Sequence, residues 1–285
     1  MTNCLFAADL HGSPERYQKL FDAIERDCPA AVFLGGDLLP SGLGGLLGIQ
    51  GYEDFFDDIF AAGFSRLKSR LGSRYPCVFM ILGNDDAKIE EERINQFQND
   101  LWIYIHNQCV PWREYSVYGY ACVPPTPFML KDWERYDVSW YLEPLCVAPE
   151  DGWFSVPVSK DSLKRETILN DLQQLAPTDD LSQAVFLFHT PPYHTGLDRA
   201  ALDGKKVSHV DLDVHIGSIA VRRFIESKQP LLTLHGHVHE SARITGVWKE
   251  QIGKTVAISA AHDGPDLALI RFDLRDPGSA TRELL

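Results

Sequence analysis

The sequence predicts an α/β fold built on parallel strands, and three observations carry that reading. A short apolar run at 4–8, an amphipathic stretch at 14–27 and a second apolar run at 31–34 follow one another closely. This is the pattern of a β-α-β unit. Further short apolar runs stand at 77–82, 184–188 and 231–234, with helical stretches between them. Each of the five runs ends in metal-competent polar residues. In open α/β sheets, ligands bind beyond the carboxyl ends of the strands. If the five strands are neighbours in one sheet, their tips converge.

The first run, Cys4-Leu5-Phe6-Ala7-Ala8, stops at Asp9. Ser13 is a good N-cap and Pro14 suits the first helical turn, and Leu20, Phe21 and Ile24 recur at helical spacing behind them. The second run ends at Gly35-Gly36-Asp37. Residues 38–51 are rich in glycine (Gly42, Gly44, Gly45, Gly48, Gly51) and read as a surface loop. The GxGxxG pattern there is incomplete and lacks the flanks of a dinucleotide loop. An amphipathic helix is expected over 52–70. A third buried strand, 77–82, ends at Gly83-Asn84-Asp85-Asp86, and a charged helix is expected near 88–98. Asp85 and Asp86 suit the capping of that helix. Strand-like segments follow at 101–105 and 114–122.

Residues 123–159 hold many prolines and aromatics, among them Pro124, Pro125, Trp133, Trp140 and Trp153. The run is too irregular for one helix and too apolar for disorder. It is expected to be an ordered excursion packed on the domain, either a plain insertion or a cap over the site. Next come a helix at 161–175, a fourth strand ending at His189, a polar loop at 195–215 and a helix at 217–227. A fifth strand ends at His235-Gly236-His237-Val238-His239. Strands at 243–248, 254–260 and 266–273 close the chain. No repeat or linker divides it, so residues 1–285 are expected to form one domain.

Composition narrows the function. Hydrophobic residues make up 45% and charged residues 24% of the 285, the balance of a soluble globular protein. With 27 basic and 40 acidic residues the formal charge is −13. That argues against nucleic acid or a membrane surface as partner, since both call for a basic footprint. A small phosphorylated substrate remains compatible, because bound dications make a site locally positive. The six cysteines form no CxxC pair and read as thiols of a reducing compartment. The start of the chain reads directly as a strand rather than a basic leader. A cytoplasmic protein is the expectation.

Asp9, His11, Asp37, Asn84, His189, His237 and His239 follow the five runs. Carboxylate, imidazole and amide are hard-to-borderline donors that suit Mn, Fe, Zn or Mg. A carboxylate such as Asp37 is able to bridge two ions, and two ions about 3.5–4 Å apart clamp a phosphoryl oxygen and activate a shared water. No protein nucleophile is evident, and GxSxG is absent.

Asp9-Leu10-His11, Gly36-Asp37, Gly83-Asn84, His189 and Gly236-His237-Val238-His239 resemble, in order and context, the motifs of the calcineurin-like metallophosphoesterases. The resemblance spans residues 9–239. It implies a four-layer α/β/β/α sandwich of two mixed sheets flanked by helices. It implies one divalent metal on Asp9, His11 and His239, another on Asn84, His189 and His237, and Asp37 between them, with Mn or Fe favoured. It implies hydrolysis of a phosphodiester or phosphomonoester by a dimetal-activated hydroxide.

One position departs from the commonest family pattern, in which a histidine follows the asparagine. Here Asp85 stands in its place. An aspartate, with a reference pKa of about 3.9, is a poor proton donor at neutral pH. The candidates for the acid are Asp85, His194 and His235. The same departure, with the aromatic excursion, supports an alternative: a catalytically weakened member acting as an interaction scaffold. Arg135 and Arg199 carry guanidiniums suited to phosphate. His106, His209 and His215 read as ordinary loop residues, and His262 as one that follows a strand near the site.

Overall fold

The computed structural model describes residues 3–42 and 54–285. Gly44, Gly45, Gly48 and Gly51 of the expected loop, and the first residues of the helix expected from 52, lie outside them. Among the described residues no helix is long and apolar enough to cross a membrane.

Strands β1 (Asn3–Ala7), β2 (Ala31–Gly35), β3 (Cys77–Ile81) and β4 (Ile103–Tyr104) run parallel side by side. β5 (Gln108–Trp112), β6 (Tyr115–Tyr120), β7 (Ala184–Phe188) and the small hairpin of β8 (Lys206–Val207) and β9 (Val210–Asp211) come next in the chain. They are followed by β10 (Leu232–His235), β11 (Lys249–Ile252), β12 (Thr255–Ser259), β13 (Ala268–Asp273) and β14 (Asp276–Leu284). One six-stranded sheet has the order β14-β13-β1-β2-β3-β4, the other β11-β12-β10-β7-β6-β5. Both are mixed, and helices flank them.

The sandwich therefore divides the five apolar runs. β1, β2 and β3 belong to one sheet, and β7 and β10 to the other. They are not neighbours in a single sheet. Local sequence does not specify this, because strand order is set by the crossover connections. β2 and β7 are buried along their whole lengths, as strands covered on both faces are.

The helix Pro14–Asp27 forms as its caps require. Ser13 Oγ accepts the Arg16 N–H at 3.3 Å, Pro14 sits in the first turn, and Cys28 closes the helix in a left-handed conformation. Its buried face carries Tyr17, Leu20, Phe21 and Ile24. Tyr17 Oη donates to Leu38 O at 2.9 Å, which fixes this helix to the loop after β2.

Several expected boundaries change. The helix expected from 52 is seen as a π-helical stretch, Phe56–Ala61, running into an α-helix, Ala62–Leu71. The stretch 88–98 is a 3₁₀ turn, Lys88–Glu90, then a short helix, Glu91–Gln96. Residues 161–175 divide into helices Lys160–Leu163 and Ile168–Leu175, the second capped by Thr167. The strand expected at 243–248 is instead a helix, Ser241–Thr245, closed by Gly246 at φ 72°, and pairing starts only at Lys249. β14 was not expected, because its polar sequence carries no apolar run.

The excursion 123–159 is ordered mainly by side chains. Trp133 is buried and donates from Nε1 to Asp86 O at 2.9 Å. Asp132 accepts the Lys88 N–H at 2.8 Å and the Ser155 hydroxyl at 2.5 Å. Lys131 and Glu134 form a fully buried ion pair, N···O 2.5 Å, completed by Thr126 N–H and Oγ–H donating to Glu134. Asp137 accepts from Ser218 Oγ and Ile219 N at the start of the helix Ile219–Lys228. The excursion thus braces the turn that carries Asn84 and Asp85. Phe128, Trp140, Tyr141 and Trp153 face solvent.

Candidate metal centre

Backbone pairing beyond the strand ends brings the first donors together. Asp9 N–H donates to Gly36 O at 3.0 Å, His11 N–H to Asp37 O at 2.8 Å and Gly12 N–H to Leu38 O at 3.0 Å. The loops after β1 and β2 therefore continue side by side. From β3, Asp85 N–H donates to Asp37 Oδ1 at 2.8 Å. From the second sheet, His237 N–H donates to Asp9 Oδ1 at 2.9 Å. Asp9, His11, Asp37 and His237 all hold left-handed backbones, with φ of 57°, 47°, 50° and 73°. Such conformations are uncommon for residues other than glycine and cluster at functional sites.

Asp9, His11, Asp37 and His239 offer ligand atoms that all lie within 4.8 Å of one another. His11 Nε2 is 3.2 Å from His239 Nε2 and 3.8 Å from Asp37 Oδ2. His239 Nε2 is 3.5 Å from Asp9 Oδ1. A second group adjoins the first through Asp37. His189 Nε2 is 3.3 Å from Asp37 Oδ2 and 3.0 Å from Asn84 Oδ1. The ring of His237 lies 5.2 Å from that of His189, centroid to centroid. Asp37 Oδ2 thus stands between His11 and His189.

The donors fit a cation. Asp9 and Asp37 are buried to 1% and 2% exposure, and buried carboxylates are costly without a compensating charge. Asp9 Oδ2 is buried with no hydrogen-bond partner among the described residues. His189 Nδ1 lies 2.8 Å from Gly35 O, which only accepts, so the proton sits on Nδ1. In the neutral ring Nε2 is then a lone pair aimed at two oxygens that also accept. A cation among them resolves the conflict. Two glycines leave the room: a Cβ at Gly236 would come within 2.8 Å of Asp9 Oδ2, and one at Gly83 within 2.6 Å of His189 Nε2.

Without a cation, protons take up this charge. Burial disfavours charge on His189, but the Asp37 and Asp9 carboxylates outweigh it and push the pKa up to about 9. His11 is also pushed up to about 9: burial opposes its charge, and Asp85, Asp37 and Asp9 override burial. Burial would raise Asp37, but His189 and His11 hold it well below the usual carboxylate range. Burial and the neighbouring His189 lower His237 to about 3, which keeps it neutral as a ligand must be.

The three expected acid candidates fall in different settings. Asp85 is half-buried and tied to His11 and Ser41. His194 is exposed on the loop after His189, 4.6 Å between ring centroids from His215. His235 does not reach the site with a free nitrogen. It is fully buried, its Nδ1 donates to Thr190 O at 2.9 Å and its Nε2 accepts from Thr233 Oγ at 2.8 Å. As the last residue of β10 it points into the core, with its ring stacked on Phe188.

Arg135 and Arg199 are occupied elsewhere. Arg135 Nε pairs with Glu166 at 3.0 Å, and Arg199 pairs with Asp203 at 2.5 Å. His106 packs its ring on Trp133 and accepts the Ala121 N–H. His262 lines a narrow cleft with Asp9, Arg16 and Asp266. Sequence reasoning missed two supports. Buried Asp86 accepts N–H groups from Leu38, Leu39 and Gly83, at 3.1, 2.7 and 2.9 Å, and so holds two ligand loops together. Buried Asp198 orients His215 through Nδ1 at 2.8 Å. The one sequence signal for Asp86 was its place after Asn84 in a turn.

Facing mixed sheets with a cluster of carboxylate, amide and imidazole donors at their strand ends define a metal-competent α/β sandwich. The chain belongs to the calcineurin-like phosphoesterase family, whose model matches residues 2–241. No curated protein matches by sequence. Solved structures share the fold at low identity. The protein TT1561 of Thermus thermophilus superposes with a TM-score of 0.55 at 18% identity, over 99% of this chain and 98% of that one. A dimetal phosphatase from Danio rerio superposes with a TM-score of 0.50 at 13% identity, over 94% of each chain. Another crystal structure gives 0.60 at 18% identity, covering 99% of this chain and 98% of its own.

Proposed function

We propose that this protein is a metal-dependent phosphoesterase that hydrolyses a small phosphodiester or phosphomonoester at a two-metal centre. Asp9, His11 and His239 would hold one divalent ion and Asn84, His189 and His237 the other, with Asp37 shared between the two groups. The observation that carries this reading is the position of Asp37 Oδ2 between His11 Nε2 and His189 Nε2, at 3.8 and 3.3 Å. Bound ions supply Lewis-acid charge to the phosphoryl group and lower the pKa of water. Mn or Fe suits the mixed nitrogen and oxygen donors.

The protein's own part is to align the donors and to handle the leaving-group proton. Of the three candidates for that proton we favour His194. Its imidazole is exposed, whereas His235 is buried with both nitrogens engaged and Asp85 is tied on both oxygens. His194→Gln should slow esters with poor leaving groups by about 10²-fold or more and aryl esters much less. An equal loss on both ester types would sink the assignment.

The direct test loads the protein with Mn²⁺, counts bound metal and assays aryl phosphodiester and monoester. Two ions and turnover are expected. Two ions with no turnover under Mn, Fe, Zn or Mg would overturn the enzymatic reading. It would favour the scaffold reading, which the exposed Phe128, Trp140, Tyr141 and Trp153 support.

A further inference from the structure

We infer that Asp85 is a positioning residue that fixes the imidazole of His11 and thereby sets the affinity of one metal position, that of Asp9, His11 and His239. The inference rests on the two-metal reading above and deepens it. His11 Nδ1 lies 3.1 Å from Asp85 Oδ2. A carboxylate only accepts, so the proton sits on Nδ1 and the Nε2 lone pair is left for a cation. Nε2 is the atom that faces His239 and Asp37.

Asp85 is itself held on every side. Its Oδ1 accepts from Ser41 Oγ at 2.7 Å, its N–H donates to Asp37 Oδ1 at 2.8 Å and its carbonyl accepts from Gly42 N at 2.7 Å. Both carboxylate oxygens are therefore occupied as acceptors within the protein, one by His11 and one by Ser41. That removes Asp85 from the role of acid and gives it another. Histidine ligands depend on such outer partners for ring orientation and basicity. His189 has a backbone carbonyl, Gly35 O, at 2.8 Å for the same purpose. His11 has a carboxylate, a stronger acceptor that also adds negative charge next to the ligand. The two ligand groups are thus built with unequal support.

The test is metal titration of the metal-free protein with Mn²⁺, by calorimetry with electron paramagnetic resonance. The wild type should bind two ions. Asp85→Ala should weaken one of the two by about 10–100-fold and leave the other unchanged. Asp85→Asn keeps an acceptor without the charge and should fall between, and Ser41→Ala should weaken the same ion less. Melting of the metal-free variants separates this from a folding defect, and Asp85→Asn, nearly isosteric, serves if the alanine variant does not fold. Two ions in the wild type with both affinities unchanged in Asp85→Ala and Asp85→Asn, or weakened equally, overturn the inference alone. A wild type that binds no pair of ions overturns the two-metal reading, and this inference with it.

Discussion

The two sheets contribute unlike chemistry to one site. The first supplies Asp9, His11, Asp37 and Asn84, and with them all the oxygen donors. The second supplies only imidazoles, His189, His237 and His239. The first group is aligned within its own sheet, through the pairing of residues 9–12 with 36–38 and through Asp86. The second takes its alignment from across the sandwich. His189 is oriented by Gly35 O, and His237 N–H reaches Asp9. Both carboxylates thus sit in one leaf, and the other contributes imidazoles alone. The candidate donors come together only when the leaves are packed, so under the proposed reading metal binding would report on the interface between them.

Breaking the junction between the leaves should have the largest effect. Asp37→Asn removes the charge between His11 and His189, and turnover with Mn²⁺ should fall by about 10³-fold or more, with metal stoichiometry reduced. Unchanged stoichiometry would contradict the bridging position. Breaking the first leaf comes next. Asp86→Ala strips the acceptor from the Leu38, Leu39 and Gly83 N–H groups, and urea denaturation should show a loss on the order of 3 kcal/mol. A loss below about 1 kcal/mol would mean that water replaces the carboxylate.

The smallest effects sharpen the contrast. Trp133→Phe loses the bond to Asp86 O and trims a fully buried indole to a phenyl, so it should cost about 2 kcal/mol and perturb metal binding, because that bond braces the Asn84 turn. Thr233→Val in the second leaf, nearly isosteric, frees His235 Nε2 and should cost less, about 1 kcal/mol, with metal affinity and turnover intact. If both variants shift metal affinity alike, the two leaves are not supported separately.

Much of this was legible in the sequence. The donors sit at strand ends in recognisable motifs, and local burial patterns place the strands that carry them. The division of those strands between two sheets was not legible from composition or periodicity, since neighbours are chosen by long-range packing. The family resemblance implied two sheets, but not which of the five strands each one holds. The place of His235 beside Gly236 and His237 suggests a site residue, whereas its ring lies on the same face of β10 as Thr233, against Phe188. The link from Asp85 to His11 joins positions 74 apart, and no local pattern announces it. Arg135 suits phosphate by its chemistry alone, and its pairing with Glu166, well separated from it in the chain, is set by the fold.

The left-handed backbones at Asp9, His11, Asp37 and His237 have a consequence for descent as well as for chemistry. Each costs of order 1–3 kcal/mol relative to a relaxed conformation, and glycine would relieve most of it. A lineage that no longer needed the metal would gain stability by accepting glycine or asparagine at these four places. Retirement of the site should therefore leave a scar in sequence, with glycines at the strand ends where ligands once stood. This chain carries no glycine at any of the four. It still bears the conformational burden of all four left-handed positions.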